Sequence, residues 1–209
     1  MNIFFDLDGT LVDSMPRLYH LFQYLVPQSK LTFEEYWQFK RNKLGHPHIL
    51  ANHFQYSEDQ IALFVDNWMA NIELQQWIEY DKPFQSVTEY LQTLKDDNTL
   101  IVVTARQFNE IAEQQIKRFG WQLLFDKILV TNQQKEKAEL IIENFKVSPQ
   151  DWFIGDTGKD IQTGKALGIN TAAVLSGFLS KEHLKQYNPD LIVEDVTKLT
   201  VTTLNTYAK

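Results

Sequence analysis

The sequence predicts an α/β fold, a doubly wound parallel sheet interrupted by one large all-helical insertion. Short apolar runs rich in β-branched and aromatic residues recur at residues 3–5, 100–103, 127–130, 152–154, 171–175 and 191–193; strands buried on both faces read this way. Between them, apolar residues fall at helical spacing. The insertion shows as a gap, because nearly a hundred residues separate the first run from the second where a βα unit needs about thirty.

Taken in order, the first run, Ile3-Phe4-Phe5, ends on Asp6. From about Ser14 to Tyr80 nothing marks a strand; helix starts stand instead at Thr32-Phe33-Glu34-Glu35 and Ser57-Glu58-Asp59-Gln60. Both have capping-box form, in which the first side chain and the fourth satisfy each other's backbone amides. Trp37, Trp68 and Trp77, with several Phe and Tyr, give the insertion packing material of its own. Residues 14–81 are therefore expected as a helical unit, and residues 1–13 with 82–209 as the α/β core. Beyond the insertion, Phe84, Val87, Leu91 and Leu94 form one helical face; Phe108, Ile111, Ala112, Ile116 and Phe119 form another, closed by Gly120.

Composition narrows the function. The 209 residues carry 27 acids and 20 bases, a net charge of −7, and are 44% hydrophobic and 13% aromatic. That is enough to bury a core, which excludes intrinsic disorder. Without a long basic run, nucleic acid and anionic membranes are excluded as principal partners. The absence of cysteine removes a disulfide framework, a thiolate zinc site and a cysteine nucleophile together. No segment approaches the ~18 apolar residues of a spanning helix, and the start meets an acid before any signal-length apolar stretch, so the expected place is the cytoplasm. His46-Pro47-His48 with His53 suits no common zinc ligand set.

In an open parallel sheet, ligands bind outside the carboxyl ends of the strands. There the sequence places Asp6-Leu7-Asp8-Gly9-Thr10 after the first run, Thr104-Ala105-Arg106 after the second, and Gly155-Asp156-Thr157-Gly158-Lys159-Asp160 after the fourth. Asp6 and Asp8, two apart on extended chain, leave the same face. Two such charges ~4 Å apart repel by about 4 kcal/mol at an effective dielectric near 20. Carboxylates gathered in this way call for a raised pKa or a bound cation. With oxygen ligands only, the cation is hard, and Mg²⁺ fits best because it takes few carboxylates plus water and phosphate.

Asp6-Leu7-Asp8-Gly9-Thr10-Leu11-Val12-Asp13-Ser14 resembles the first signature of the haloacid dehalogenase superfamily, in its phosphatase branch. Three further signatures follow in order: Thr104 at a strand end, a lysine at Lys137-Ala138-Glu139-Leu140, and Gly155-Asp156-Thr157-Gly158-Lys159-Asp160. The resemblance covers the Rossmann-like core from end to end; the helical insertion matches the family's first-position cap only in placement and helical character. It implies a phosphoglycolate phosphatase-like hydrolase in which Asp6 is the nucleophile that takes the phosphoryl group and Asp8 the general acid and then base. Asp6, the backbone carbonyl of Asp8, and Asp156 would hold Mg²⁺. Thr104, Lys137 and the backbone amides of Leu7 and Ala105 would bind the phosphoryl oxygens, with Asp160 behind them orienting the lysine or a water. The register leaves Lys135 as an alternative to Lys137.

The implied substrate is a small phosphorylated metabolite, and the sequence does not choose among phosphoglycolate, sugar phosphates and nucleoside monophosphates. The cap would recognise the leaving group. Its basic or polar candidates are Arg17, Lys40, Arg41, Lys43, His46 and His48, with Arg41 and Lys43 favoured; Arg106 either reaches the phosphate or caps the rim. The rival within enzymes is a phosphomutase of the β-phosphoglucomutase kind. A P-loop fails because Gly158-Lys159 is followed by Asp160. A phospho-receiver, which lacks a large helical insert and has no use for the acid at Asp8, and a binding protein without activity, against which the intact set Asp6, Asp8, Thr104 and Asp156 argues, are the less favoured alternatives. Oligomeric state is not legible.

Overall fold

The computed structural model describes residues 1–206. Six parallel strands form the central sheet: β1 (Asn2–Phe5), β4 (Thr99–Thr104), β5 (Lys127–Val130), β6 (Trp152–Gly155), β7 (Asn170–Val174) and β8 (Leu191–Val193), in the order β5-β4-β1-β6-β7-β8. A two-stranded ribbon pairs β2 (Val12–Asp13) with β3 (Lys82–Pro83), antiparallel. Between the ribbon's strands run five helices, α1 (Met15–Leu25), α2 (Phe33–Arg41), α3 (His46–Phe54), α4 (Glu58–Asn71) and α5 (Gln75–Ile78). The sheet's own helices are α6 (Val87–Lys95), α7 (Asn109–Arg118), α8 (Lys137–Asn144), α9 (Gly158–Leu167), α10 (Lys181–Lys185) and α11 (Val201–Thr206).

The strands carry apolar residues on both faces because both faces are covered. Ile3, Phe5, Leu100, Val102, Trp152 and Ile154 pack on one side with Val87, Leu91 and Leu94 of α6 and Ile116 of α7. Phe4, Ile101, Val103 and Phe153 pack on the other with Ile141 of α8. The alternation is the pleat's own period of two, applied to a doubly wound sheet. Three sequence expectations shift slightly. The strand expected at 171–175 begins one residue earlier. Phe84 precedes α6, its amide bonded to the Leu11 carbonyl at 3.1 Å, and Phe108 precedes α7 and is exposed.

The helical segment has its own apolar cluster, built on Phe22, Tyr36, Trp37, Ile49, Leu50 and Phe64, with Trp68 packed against it. Both capping boxes form: Thr32 with Glu35, and Ser57 with Gln60. His46 belongs to this packing. Its Nε2 lies 2.8 Å from the Tyr36 hydroxyl and its ring lies against Trp68. Among the described residues, no helix is long and apolar enough to cross a membrane.

The chain builds outward from β1 through β4 to β5, then returns to place β6 on the other side of β1. That reversal opens a crevice at the carboxyl ends of the central strands.

Candidate active site

Three neighbouring strands deliver the site. β1 runs directly into Asp6, whose amide donates to the Ile154 carbonyl of β6 at 2.9 Å, so the residue stays in register with the sheet while its side chain enters the crevice. β4 ends on Thr104, 1% exposed. β6 ends on Gly155, and Asp156, fully buried, follows. The loop after Asp6 is tight: the amides of Leu11 and Val12 both donate to the Leu7 carbonyl at 3.0 Å, and Gly9 turns at φ +80°, a conformation glycine adopts without strain.

Lys137, the first residue of α8, reaches into the crevice. Its Nζ donates to Asp6 Oδ1 at 2.5 Å and to Asp160 Oδ1 at 2.6 Å. Asp160 is held in turn, its Oδ2 accepting from the Thr157 amide at 3.0 Å and hydroxyl at 2.6 Å. The structure therefore brings Lys137 to Asp6; Lys135 is exposed and pairs with Glu143.

Asp156 has a different surround. Its Oδ2 accepts from the Phe178 amide at 2.7 Å and its Oδ1 from the Thr10 hydroxyl at 3.4 Å. Glycine makes the room on both sides: a Cβ on Gly177 would stand 2.0 Å from Asp156 Oδ2, and one on Gly9 2.5 Å. Burial, with the charges of Asp6 and Asp160, pushes the Asp156 carboxyl well above its usual range. Burial likewise pushes Asp6 up to about 7 against the pull of Lys137.

Ligand atoms of Asp6, Asp156 and Asp160 lie within 4.8 Å of one another. Three buried carboxylates share one ammonium, and Asp156 has only neutral donors among the bonds named above. An all-oxygen set short of positive charge suits a hard divalent cation. Because Asp160 is already bonded to the lysine and to Thr157, Asp6 and Asp156 are the carboxylates better placed to hold it.

Asp8 turns the other way. Arg106 takes its carboxylate in a fork, Nε to Oδ2 and Nη2 to Oδ1, both at 2.8 Å, and Arg17 Nη2 of α1 also bonds Oδ1. Burial alone would raise the Asp8 carboxyl, but the guanidiniums of Arg106 and Arg17 overcome it and hold the group below the usual carboxylate range.

A cavity of about 580 Å³ joins these parts, reaching from Asp6, Thr104 and Lys137 to Trp68, Ile72 and Phe178. Ala105 lines it, its carbonyl accepting from the side-chain Nε2 of Gln133, whereas the Leu7 side chain is buried in the core. Arg41 and Lys43 are not brought to this cavity. Lys43 Nζ donates to the Tyr187 hydroxyl at 2.8 Å, and the Arg41 carbonyl accepts from the Ser180 amide at 3.2 Å. From the helical segment, Arg17, Leu18, Trp68, Met69, Ile72 and Glu73 face the crevice instead. Arg17, one of the basic candidates of the helical segment, is brought to the cavity, whereas Asp81 behind it lies in no motif and its role comes from tertiary contact alone.

Fold and crevice together define an α/β enzyme whose acid-rich site sits at the reversal of strand order. A sequence model of the haloacid dehalogenase-like hydrolases matches residues 3–174, and the chain belongs to that family. Pyrophosphatase PpaX of Halalkalibacterium halodurans is 24% identical over 222 residues, covering 95% of this chain and 94% of that protein. Phosphoglycolate phosphatase of Mesorhizobium japonicum is 24% identical over 217 residues, covering 95% and 92%. A solved haloacid dehalogenase-like family hydrolase from Streptococcus pneumoniae superposes with a TM-score of 0.77 at 26% identity, covering 95% of each chain.

Proposed function

We propose that the protein is a Mg²⁺-dependent phosphatase acting on a small phosphomonoester through a phosphorylated Asp6. The observation that carries this reading is the placement of Asp6: at the end of the central strand, bonded to Lys137, beside Asp156, and in one cavity with Thr104. Mg²⁺, held by Asp6, Asp156 and the Asp8 carbonyl, would neutralise the repulsion between carboxylate and incoming phosphate. The helical segment 14–81 serves in this reading as a cap over a core of residues 1–13 and 82–209, since its side chains form the cavity's far wall.

Attack by a carboxylate oxygen of Asp6 forms an O–P bond as the ester O–P bond breaks, and Asp8 gives its proton to the departing alkoxide. Water then attacks phosphorus, its proton passes to Asp8, and Asp6 is released. The Lys137 ammonium and the Thr104 hydroxyl steady charge that spreads over the phosphoryl oxygens. Asp160 aims the lysine. The guanidiniums of Arg17 and Arg106 favour the ionised form of Asp8, which suits the second step, and in this reading the first requires those arginines to loosen their hold.

The names borne by relatives, pyrophosphatase and phosphoglycolate phosphatase, support a small phosphorylated substrate. A panel of phosphate esters, assayed for phosphate release with Mg²⁺ and with EDTA, tests class and metal together. Release from at least one ester that EDTA abolishes is the expected result. Release undiminished by EDTA refutes the metal, and turnover that needs a bisphosphate primer without net release indicates a mutase.

A further inference from the structure

The two sides of the cavity differ in kind. The strand ends supply acids, hydroxyls and the buried ammonium of Lys137, whereas the far wall is largely apolar: Leu18 of α1, Trp68 and Met69 of α4, Ile72 just after it, and Phe178 from the loop after β7. All five residues are half-buried. Leu18, Trp68 and Phe178 pack against the apolar cluster of the helical segment, while Met69 and Ile72 stand outside that cluster.

The wall is held in place from behind. The Trp68 ring centroid lies 4.1 Å from that of His46 and 5.8 Å from that of Phe64. Burial, with the charge of Lys40, pushes the His46 imidazole well below its usual range, so this backing is uncharged. The Phe178 ring lies 5.4 Å from Trp37, and its amide is tied to Asp156. Single apolar residues at a surface need no explanation; five converging on the cavity that holds the acids make a wall for a ligand.

Charge points the same way. The helical segment brings two charged groups to the cavity, Arg17 and Glu73. Glu73 accepts from the Gln107 and Phe108 amides at 2.7 and 3.3 Å. Arg17, with Arg106, is clamped between two acids of this chain, Asp8 and Asp81. Lys137 serves Asp6 and Asp160, and the exposed Lys135 and Lys159 pair with Glu143 and Glu136. A second anion on a ligand would lose its water here without gaining an unpaired cation. An apolar body gains by leaving water.

We propose that Leu18, Trp68, Met69, Ile72 and Phe178 form the subsite for the leaving group, and that it takes an uncharged alcohol with an apolar body in preference to one carrying a second anion. This rests on the phosphatase reading for which end of the cavity holds the phosphoryl group. It narrows the substrate class from small phosphomonoesters at large to esters of apolar alcohols.

Equilibrium binding tests it without relying on turnover. Three phosphonates, whose P–C bond survives the experiment, are titrated calorimetrically into the full chain and its variants with Mg²⁺ in excess: methylphosphonate, benzylphosphonate and phosphonoacetate. Benzylphosphonate should bind about ten-fold or more tightly than methylphosphonate, the scale of one buried apolar group. Phosphonoacetate should bind no more tightly than methylphosphonate. Trp68→Ala and Ile72→Ala should each remove about five-fold of the benzyl preference and leave the methylphosphonate affinity as it was.

Equal affinity for benzyl- and methylphosphonate in the native protein, tightest binding of phosphonoacetate, or a benzyl preference unchanged in both variants overturns the proposal. If Trp68→Ala does not fold by circular dichroism, Ile72→Ala, whose side chain lies outside the packed cluster, decides alone. A benzyl preference that the variants diminish, with no phosphate released from any ester, would sink the phosphatase reading and leave the apolar subsite standing; phosphate release without that preference does the reverse.

Discussion

Replacing Lys137 with Met removes the one ammonium shared by Asp6 and Asp160 while nearly keeping its volume. Both contacts are short, 2.5 and 2.6 Å, and the lysine is 8% exposed. Deleting one partner of a buried ion pair costs about 3–5 kcal/mol, because the remaining charge stays buried unpaired. For a chain of this size each kcal/mol moves the melting temperature by about 2–4 °C, so K137M should melt about 6–20 °C lower at pH 8 without divalent cation.

The loss should depend on pH with a definite sign. Burial pushes the Asp6 carboxyl up to about 7 in the native state, whereas an ordinary aspartate free of the fold titrates near 3.8. Between those values the native state binds the extra proton, so this group's contribution is full below the lower value and is lost as pH rises through the upper one. Removing the ammonium takes away a pull that lowers the Asp6 value, which carries the window higher. Acidification towards pH 5 should therefore return much of the lost stability, as should millimolar Mg²⁺ at pH 8. Melting followed by circular dichroism, with and without EDTA, reads all of this. Equal melting temperatures for variant and native protein at pH 8 in EDTA would refute the reasoning.

Asp6→Asn should abolish phosphate release with an unchanged circular dichroism spectrum; ordinary turnover would remove Asp6 from its proposed role. Asp8→Asn should slow an alkyl phosphate about 10²-fold or more and p-nitrophenyl phosphate, whose leaving group needs no proton, much less in the first step; equal losses in burst kinetics count against an acid there. Gly177→Ala must displace the Asp156 carboxylate, since the added Cβ would stand 2.0 Å from Oδ2; calorimetry should show Mg²⁺ binding at least about ten-fold weaker, and native affinity would argue that Asp156 is not a ligand. Mg²⁺ affinity in the native protein should rise with pH across the region near 7, because the cation must displace the Asp6 proton; a flat profile from pH 5.5 to 8.5 contradicts that linkage.

The sheet was legible because its strands are buried on both faces and so carry unbroken apolar runs; Ile3-Phe4-Phe5 and Trp152-Phe153-Ile154 fall on β1 and β6. The rim acids were legible because they cluster just beyond such runs: Asp6 directly after Phe5 with Asp8 two residues on, and Asp156 separated only by Gly155 from the run that ends at Ile154. The capping boxes at Thr32 and Ser57 announced two helices by local chemistry alone. What sequence could not resolve depends on contacts between distant segments. Lys135 and Lys137 differ only in which points inward at the start of α8. Arg41 and Lys43 sit on a helix end that happens to meet Tyr187 and Ser180. The arginine clamp needs residues 8, 17, 81 and 106 to converge, and no periodicity encodes that. Phe108 shows the converse error, since an apolar residue at helical spacing was read as core and lies exposed at the helix start.

The paired strands β2 and β3 bring residues 12–13 alongside 82–83, so the polypeptide departs for the five helices and comes back through one narrow stalk. A unit hung on such a stalk is exchangeable: recombination at two adjacent crossings could transplant another selector over the same catalytic floor. Where the five helices select the substrate as proposed, that choice can be retuned without touching the strand that bears Asp6, and a laboratory chimera cut at those crossings should inherit its donor's tastes.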